Sequence, residues 1–229
     1  MSQFLDAELV TQLQEAFAHL DRDVEMLVYT SSRVVLPGAE PAGEEAATLQ
    51  LVREVAETSP RLSVVERSLG ADPDARARGI VRAPTLLIRE AGSDRHNIRF
   101  IGIPSGYEFQ TLVEALRMVG TGDSGLGEES AAQIAALTEP VKLQSFVTPT
   151  CPYCPRAVLA SYRLALANPL VVAEGVEASE FPALAQRYRI SGVPDTIIDG
   201  PHGTERVLGG QPDHVFVAAV MKVAVSATA

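Results

Sequence analysis

The 229-residue chain has two cysteines, Cys151 and Cys154, with Pro152 and Tyr153 between them. Two thiols three positions apart suit reversible disulfide chemistry, or part of a metal site. A bridge between them closes a loop too small to staple a fold, so pairing here would be chemistry rather than architecture. A metal ion needs about four ligands. The histidines, His19, His96, His202 and His214, are scattered, and only the last two lie close in sequence. A metal site, or an iron–sulfur cluster shared by two chains, stays open as a lesser reading.

The stretch at residues 143–147 reads as a buried strand, and the pattern after Cys151 reads as a helix. A thiol at a helix start faces unsatisfied backbone N–H groups and the positive end of the helix dipole, and both favour a thiolate. Cys151 is therefore expected to be the exposed nucleophile. Cys154, one turn on and deeper, would resolve the mixed disulfide. Thr150, Pro152 and Tyr153 complete the active-site loop. Pro152 is expected at an early helical position, where its missing N–H is harmless, and Pro155 is expected to stiffen or kink the next turn. A second element, Val193-Pro194, opens a strand. A proline there is predicted to be cis, leaving the Val193 backbone free to pair with an extended substrate segment.

The elements that must position these residues come in duplicate. Residues 28–37 echo residues 146–155, with threonines and final prolines coinciding. Ile80-Val81-Arg82-Ala83-Pro84 echoes Ile190-Ser191-Gly192-Val193-Pro194, Gly102 echoes Gly209, and Phe109 echoes Phe216. A repeat of this length indicates a duplicated domain rather than a solenoid. Each copy reads helix, strand, helix, strand, helix, strand, strand, helix. In the first copy the helices are expected near 5–17, 44–57, 74–78 and 109–116, and the strands near 26–29, 62–65, 85–88 and 98–101. In the second copy the helices are expected near 128–138, after Cys151, near 180–188 and from Asp213 as N-cap. Its strands are expected near 143–147, 170–172, 196–198 and 206–208. The glycine-rich stretch 120–127 is the linker, dividing a unit at 1–120 from a unit at 121–229.

At these residues the sequence resembles the thioredoxin superfamily, and within it the tandem protein disulfide oxidoreductases, also called glutaredoxin-like proteins. The resemblance rests on residues 146–155, Val193-Pro194, the echo Arg82-Ala83-Pro84, and residues 100–106. It implies an α/β fold of two tandem thioredoxin-like units, each a central mixed four-stranded sheet flanked by helices. It also implies thiol–disulfide exchange by Cys151 and Cys154. Two departures stand out. Both units of such proteins commonly carry CxxC, whereas the first unit here reads Arg33-Val34-Val35-Leu36 and has no thiol. The position of the superfamily's buried proton-accepting acid reads Ser145. Asp195, directly after Pro194, is another acid near the motif. Gly209-Gly210 resembles a glutathione-binding turn, or else serves as a plain strand-to-helix turn.

Composition narrows the partners. The net charge of −10, with neither half basic, excludes a general nucleic-acid surface. The uncharged stretch 143–155 is too short to span a bilayer, and the N-terminus lacks a signal pattern. A cytoplasmic setting, no membrane and no cofactor are expected. The leading reading is a dithiol–disulfide oxidoreductase acting on protein disulfides, re-reduced by a thioredoxin reductase or by glutathione. A glutathione-linked reductase or an electron relay to a peroxidase is the alternative within redox chemistry. A peptide-binding holdase with incidental thiols is the alternative outside it.

Overall fold

A computed structural model describes residues 4–31 and 43–225. The elements run α1 (Ala7–Ala16), β1 (Val24–Thr30), α2 (Glu44–Ala56), β2 (Leu62–Ser68), β3 (Thr85–Glu90), β4 (Ile98–Ile101) and α3 (Glu108–Thr121). They continue with α4 (Glu128–Ala135), β5 (Val141–Val147), α5 (Cys154–Ala167), β6 (Val171–Glu177), α6 (Pro182–Arg187), β7 (Asp195–Gly200), β8 (Gly203–Leu208) and α7 (Asp213–Ala224). The result is a mixed α/β thioredoxin-like fold with seven helices among the described residues. Arg33, Val34, Val35, Leu36 and the echo at Pro37 lie outside them.

The eight strands form one sheet in the order β2-β1-β3-β4-β6-β5-β7-β8. Each half pairs its strands the same way. β1 runs parallel to β2 and antiparallel to β3, which pairs antiparallel with β4. β5, β6, β7 and β8 repeat that scheme. The sequence leads to two four-stranded sheets; the structure joins them through a parallel β4–β6 pair, Ile98 opposite Ala173 and Ile101 opposite Val176. Both strands would otherwise present an unpaired edge, and pairing removes it.

The join is tightly packed. A Cβ on Gly175 would stand 2.6 Å from the Phe100 ring, so only glycine lets the two strands meet there. Phe100 is buried, and a buried phenylalanine contributes roughly 1.5–3 kcal/mol. Asn97 donates to the carbonyls of Ala165 at 2.7 Å and Val171 at 2.9 Å across the join. Arg99 and Glu174 face each other on β4 and β6 and form a fully buried ion pair at 3.1 Å. Gln144 and Lys142 satisfy the other oxygen of Glu174. A pair this deep stays favourable only because its remaining donors and acceptors are met.

Local chemistry explains most helix limits. The Asp6 side chain accepts from the Leu9 N–H at 2.8 Å and caps α1, which packs Leu13 into the core alongside flanking Leu5 and Phe17. α3 runs through Gly120 and ends at Gly122 in the left-handed region, so the expected boundary at 120/121 falls in its last turn. α7 is preceded by Pro212 as N-cap; Asp213 is its first residue and pairs with Arg163 at 3.1 Å instead of capping. Phe109 is only half-buried, and its neighbour Leu112 takes the core position. The helix expected near 74–78 is a series of turns, because Asp72 and Pro73 divert the chain: Asp72 takes the Asp74 N–H at 2.9 Å and the Tyr29 hydroxyl at 3.0 Å. None of the described helices is long and apolar enough to cross a membrane.

Candidate functional site

β5 delivers the chain to the cysteine loop. Its residues 143–147 are all buried, so Thr148 is the first partly exposed position. The chain turns there: the Cys151 N–H donates to the Thr148 carbonyl at 3.2 Å and the Cys154 N–H to the Cys151 carbonyl at 3.3 Å. α5 begins at Cys154, so Cys151 lies one turn ahead of the helix rather than within it, and Pro152 sits in that turn. Pro155 occupies the first turn of α5, where no intrahelical donor is lost.

Both cysteines are free thiols. Cys151 retains 9% exposure and Cys154 none, while Thr150, Pro152 and Tyr153 are exposed, Tyr153 at 71%. The Cys151 Sγ donates to the Val193 carbonyl at 3.7 Å. The Val193–Pro194 bond is cis, as is Ala83–Pro84 in the first half. The motifs at 151–154 and 193–194 therefore meet in space.

The Cys154 thiol is pushed up by burial, and further by its hydrogen bond with Cys151 and by the charge of Glu108. Glu108 is the residue that sequence reasoning missed. It opens α3 in the first half and is 1% exposed. Burial pushes its carboxyl up to about 7, against the pull of the Thr111 hydroxyl, which donates to Oε2 at 2.7 Å. Its other oxygen, Oε1, has no partner. Ser145, at the position expected for an acid, is buried in a hydroxyl cluster, 3.1 Å from the Ser161 oxygen and 2.9 Å from that of Thr196. Asp195 is also buried, and Arg206 occupies it fully.

The turn ahead of α3 rests on the cysteine loop. The Tyr107 N–H donates to the Pro149 carbonyl at 2.9 Å. Gly106 has φ +60°, and a Cβ there would stand 2.2 Å from the Pro149 oxygen, so glycine is needed for this approach. A cavity of about 480 Å³ lies in the first half, lined by Tyr29, Arg67, Asp72, Arg78 and Arg89 and by neither cysteine. No group of three or more His, Cys, Asp or Glu among the described residues would hold a metal.

Known proteins share the fold. The thioredoxin-domain family matches residues 141–222. That match and the structural neighbours support a thioredoxin-superfamily disulfide oxidoreductase. The chain is 28% identical over 196 residues to the F subunit of alkyl hydroperoxide reductase of Staphylococcus epidermidis, covering 86% of this chain and 34% of that protein. The chain thus spans about a third of the length of the curated relatives it matches. The NTD_N/C domain of the corresponding Enterococcus faecalis protein superposes with a TM-score of 0.82 at 28% identity, over 95% of this chain and all of that one. A protein disulfide oxidoreductase from Aeropyrum pernix superposes at 0.80 with 27% identity, over 97% and 95% of the two chains.

Proposed function

We propose that this chain reduces protein disulfides by cycling Cys151 and Cys154 between dithiol and disulfide. The observation that carries the reading is a barely exposed thiol, Cys151, beside a fully buried one, Cys154, with the Val193 carbonyl of the cis-proline corner 3.7 Å from the Cys151 sulfur. The Cys151 thiolate attacks one sulfur of the substrate disulfide, forming a mixed disulfide and releasing the first substrate thiolate. Cys154 then attacks the Cys151 sulfur, the Cys151–substrate bond breaks, and the second substrate thiolate leaves. The substrate gains two electrons and the protein becomes the Cys151–Cys154 disulfide.

Cys154 must lose its proton for the second step, and burial opposes that loss. Glu108, poised at about 7, is the group suited to take the proton as the thiolate forms. Val193 and Pro194 would seat the substrate backbone beside Cys151.

In this reading residues 1–120 and 121–229 are two thioredoxin-like units, the first without a thiol and so unable to carry electrons. A separate reductant, such as a thioredoxin reductase or glutathione, would return the protein to its dithiol form. A second reading, relay of electrons to a peroxidase, is favoured by the similarity to the F subunit of alkyl hydroperoxide reductase over 86% of the chain. Reduction of insulin with dithiothreitol, then with glutathione or a thioredoxin reductase as donor, tests the first reading. Coupling to a thiol peroxidase with a peroxide tests the second. Absence of insulin reduction in the full chain overturns the first.

A further inference from the structure

The segment that presents Val193 to Cys151 begins at Tyr188 and ends at Asp195. Its first turn contains Arg189, the sole non-glycine residue with positive φ among those described, at +54°. Such a conformation persists only where the surroundings hold it. Arg206, on β8, reaches both ends of the segment. Its Nε donates to Asp195 Oδ1 at 2.8 Å and its Nη2 to Asp195 Oδ2. The same Nη2 donates to the carbonyls of Tyr188 at 3.3 Å and Arg189 at 3.2 Å. Asp195 is 1% exposed, so its charge needs this partner.

The first half contains the same device. Arg99 stands opposite Leu87 on β4, three residues past Pro84, as Arg206 stands opposite Ile197, three residues past Pro194. Arg99 donates to the carbonyl of Arg78, which has the place of Tyr188. Gly79, at φ +73°, has the place of Arg189. The next residues, Ile80 and Ile190, close matching turns onto Ala75 and Ala185 at 2.8 and 2.9 Å. The acid partners differ: Arg99 pairs with Glu174 on β6, not with a residue beside its proline. After its proline the first half has Thr85, whose hydroxyl donates to the Arg82 carbonyl at 2.8 Å, whereas the second has Asp195. In the half with the thiols, the arginine is thus tied to the residue next to Pro194.

We propose that Arg206 is a positioning residue for the thiol site: by gripping Asp195 and the carbonyls of Tyr188 and Arg189 together, it sets where the Val193 backbone stands against Cys151 and the incoming substrate. The proposal rests on the disulfide-reductase reading for its kinetic consequence, though not for its structural one. Lysine, with one nitrogen, cannot keep the second arm of the bidentate pair, the Nε–Oδ1 contact with Asp195, while its ammonium turns to the carbonyls.

Arg206→Lys in the full chain is the test, since it keeps a positive charge beside Asp195 and so keeps the fold. Amide exchange at Arg189 and Ile190 should speed about tenfold, with other amides of β7 and β8 unchanged. The KM for a protein disulfide should rise about tenfold while kcat stays within about threefold. Asp195→Thr, which introduces the first-half residue, should change KM in the same direction. Unchanged exchange at Arg189 and Ile190 overturns the grip, and faster exchange with an unchanged KM overturns its role in seating substrate. If the wild-type chain reduces no protein disulfide, the functional reading fails by itself. The exchange result, with the rate of Cys151 alkylation by iodoacetamide, then decides the proposal: a rate equal to wild type overturns it, and a change of about threefold or more supports it.

Discussion

The two halves share a plan and divide the chemistry. Both have the same strand pairing, the same cis-proline corner and the same arginine grip on the turn before it. The second half has both thiols. The first half has none, yet its helix α3 places Glu108 close enough to act on Cys154, and its Gly106–Tyr107 turn leans on the loop that leads to Cys151. On the proposed mechanism, a half without thiols still takes part in thiol chemistry, by supplying a proton acceptor rather than electrons. The join through β4 and β6 brings the two halves into one sheet, and α3 packs on the second half near enough for the charge of Glu108 to raise the Cys154 thiol.

The largest expected effect separates the two cysteines. Cys151→Ser should lower insulin reduction by about a thousandfold or more. Cys154→Ser should instead accumulate mixed disulfides with substrate, visible by non-reducing electrophoresis. Better trapping by Cys151→Ser would reverse the assigned roles and with them the use of Glu108.

Next in size is a consequence of Glu108 for stability. Burial raises this carboxyl in the folded chain from an ordinary value of 4.5 to about 7, so the folded protein holds a proton that the unfolded one gives up. The stability this contributes is complete below the unfolded value and is lost as pH rises through about 7. Over that window it amounts to roughly 3 kcal/mol. Denaturant unfolding should therefore show wild type weakening from pH 5 to 8 relative to Glu108→Gln. Parallel pH curves would mean that the carboxyl is not held in so apolar a place.

A smaller change probes the contact between the halves. Gly106→Ala places a Cβ against the Pro149 oxygen at a positive φ and should cost about 1–3 kcal/mol, measured by thermal unfolding. It should also slow resolution of mixed disulfides, because α3 starts two residues later. The smallest effects are expected for exposed pairs, one in each half. Removing Arg22 from Glu90, or Lys222 from Glu205, should change stability by about 0.5 kcal/mol or less.

What can be read from the sequence follows the range of the interactions. The cysteine loop and the proline corner are legible because their chemistry lies within a few consecutive residues. Strands β1, β3 and β4 are legible from apolar runs. The join of β4 to β6 is not, since a parallel pairing of residues 75 positions apart leaves no local pattern. Glu108 is invisible for the same reason: an acid in the first turn of a helix reads as an ordinary favourable dipole contact. Matching threonines also set the repeat one residue out of step at its first strand. They equate Thr30 with Thr148, but Tyr29 opposes Thr85 as Phe146 opposes Asp195, so the strands correspond one position earlier. Asp195 looks like a candidate acid because a sequence cannot show that Arg206, on the neighbouring strand, already occupies it.

Whether the first half serves the second is tested most directly by the pH dependence of one step, the resolution of a preformed mixed disulfide between Cys151 and a peptide thiol. Stopped-flow release of the peptide from the wild-type chain should rise with a midpoint near pH 7, as Glu108 becomes free to accept the Cys154 proton. In Glu108→Gln the rate at neutral pH should fall by roughly a hundredfold and that midpoint should vanish, the rate instead rising only with alkaline ionisation of Cys154. A Glu108→Gln chain that keeps both the wild-type rate and the midpoint near 7 would contradict any part for the first half in the chemistry.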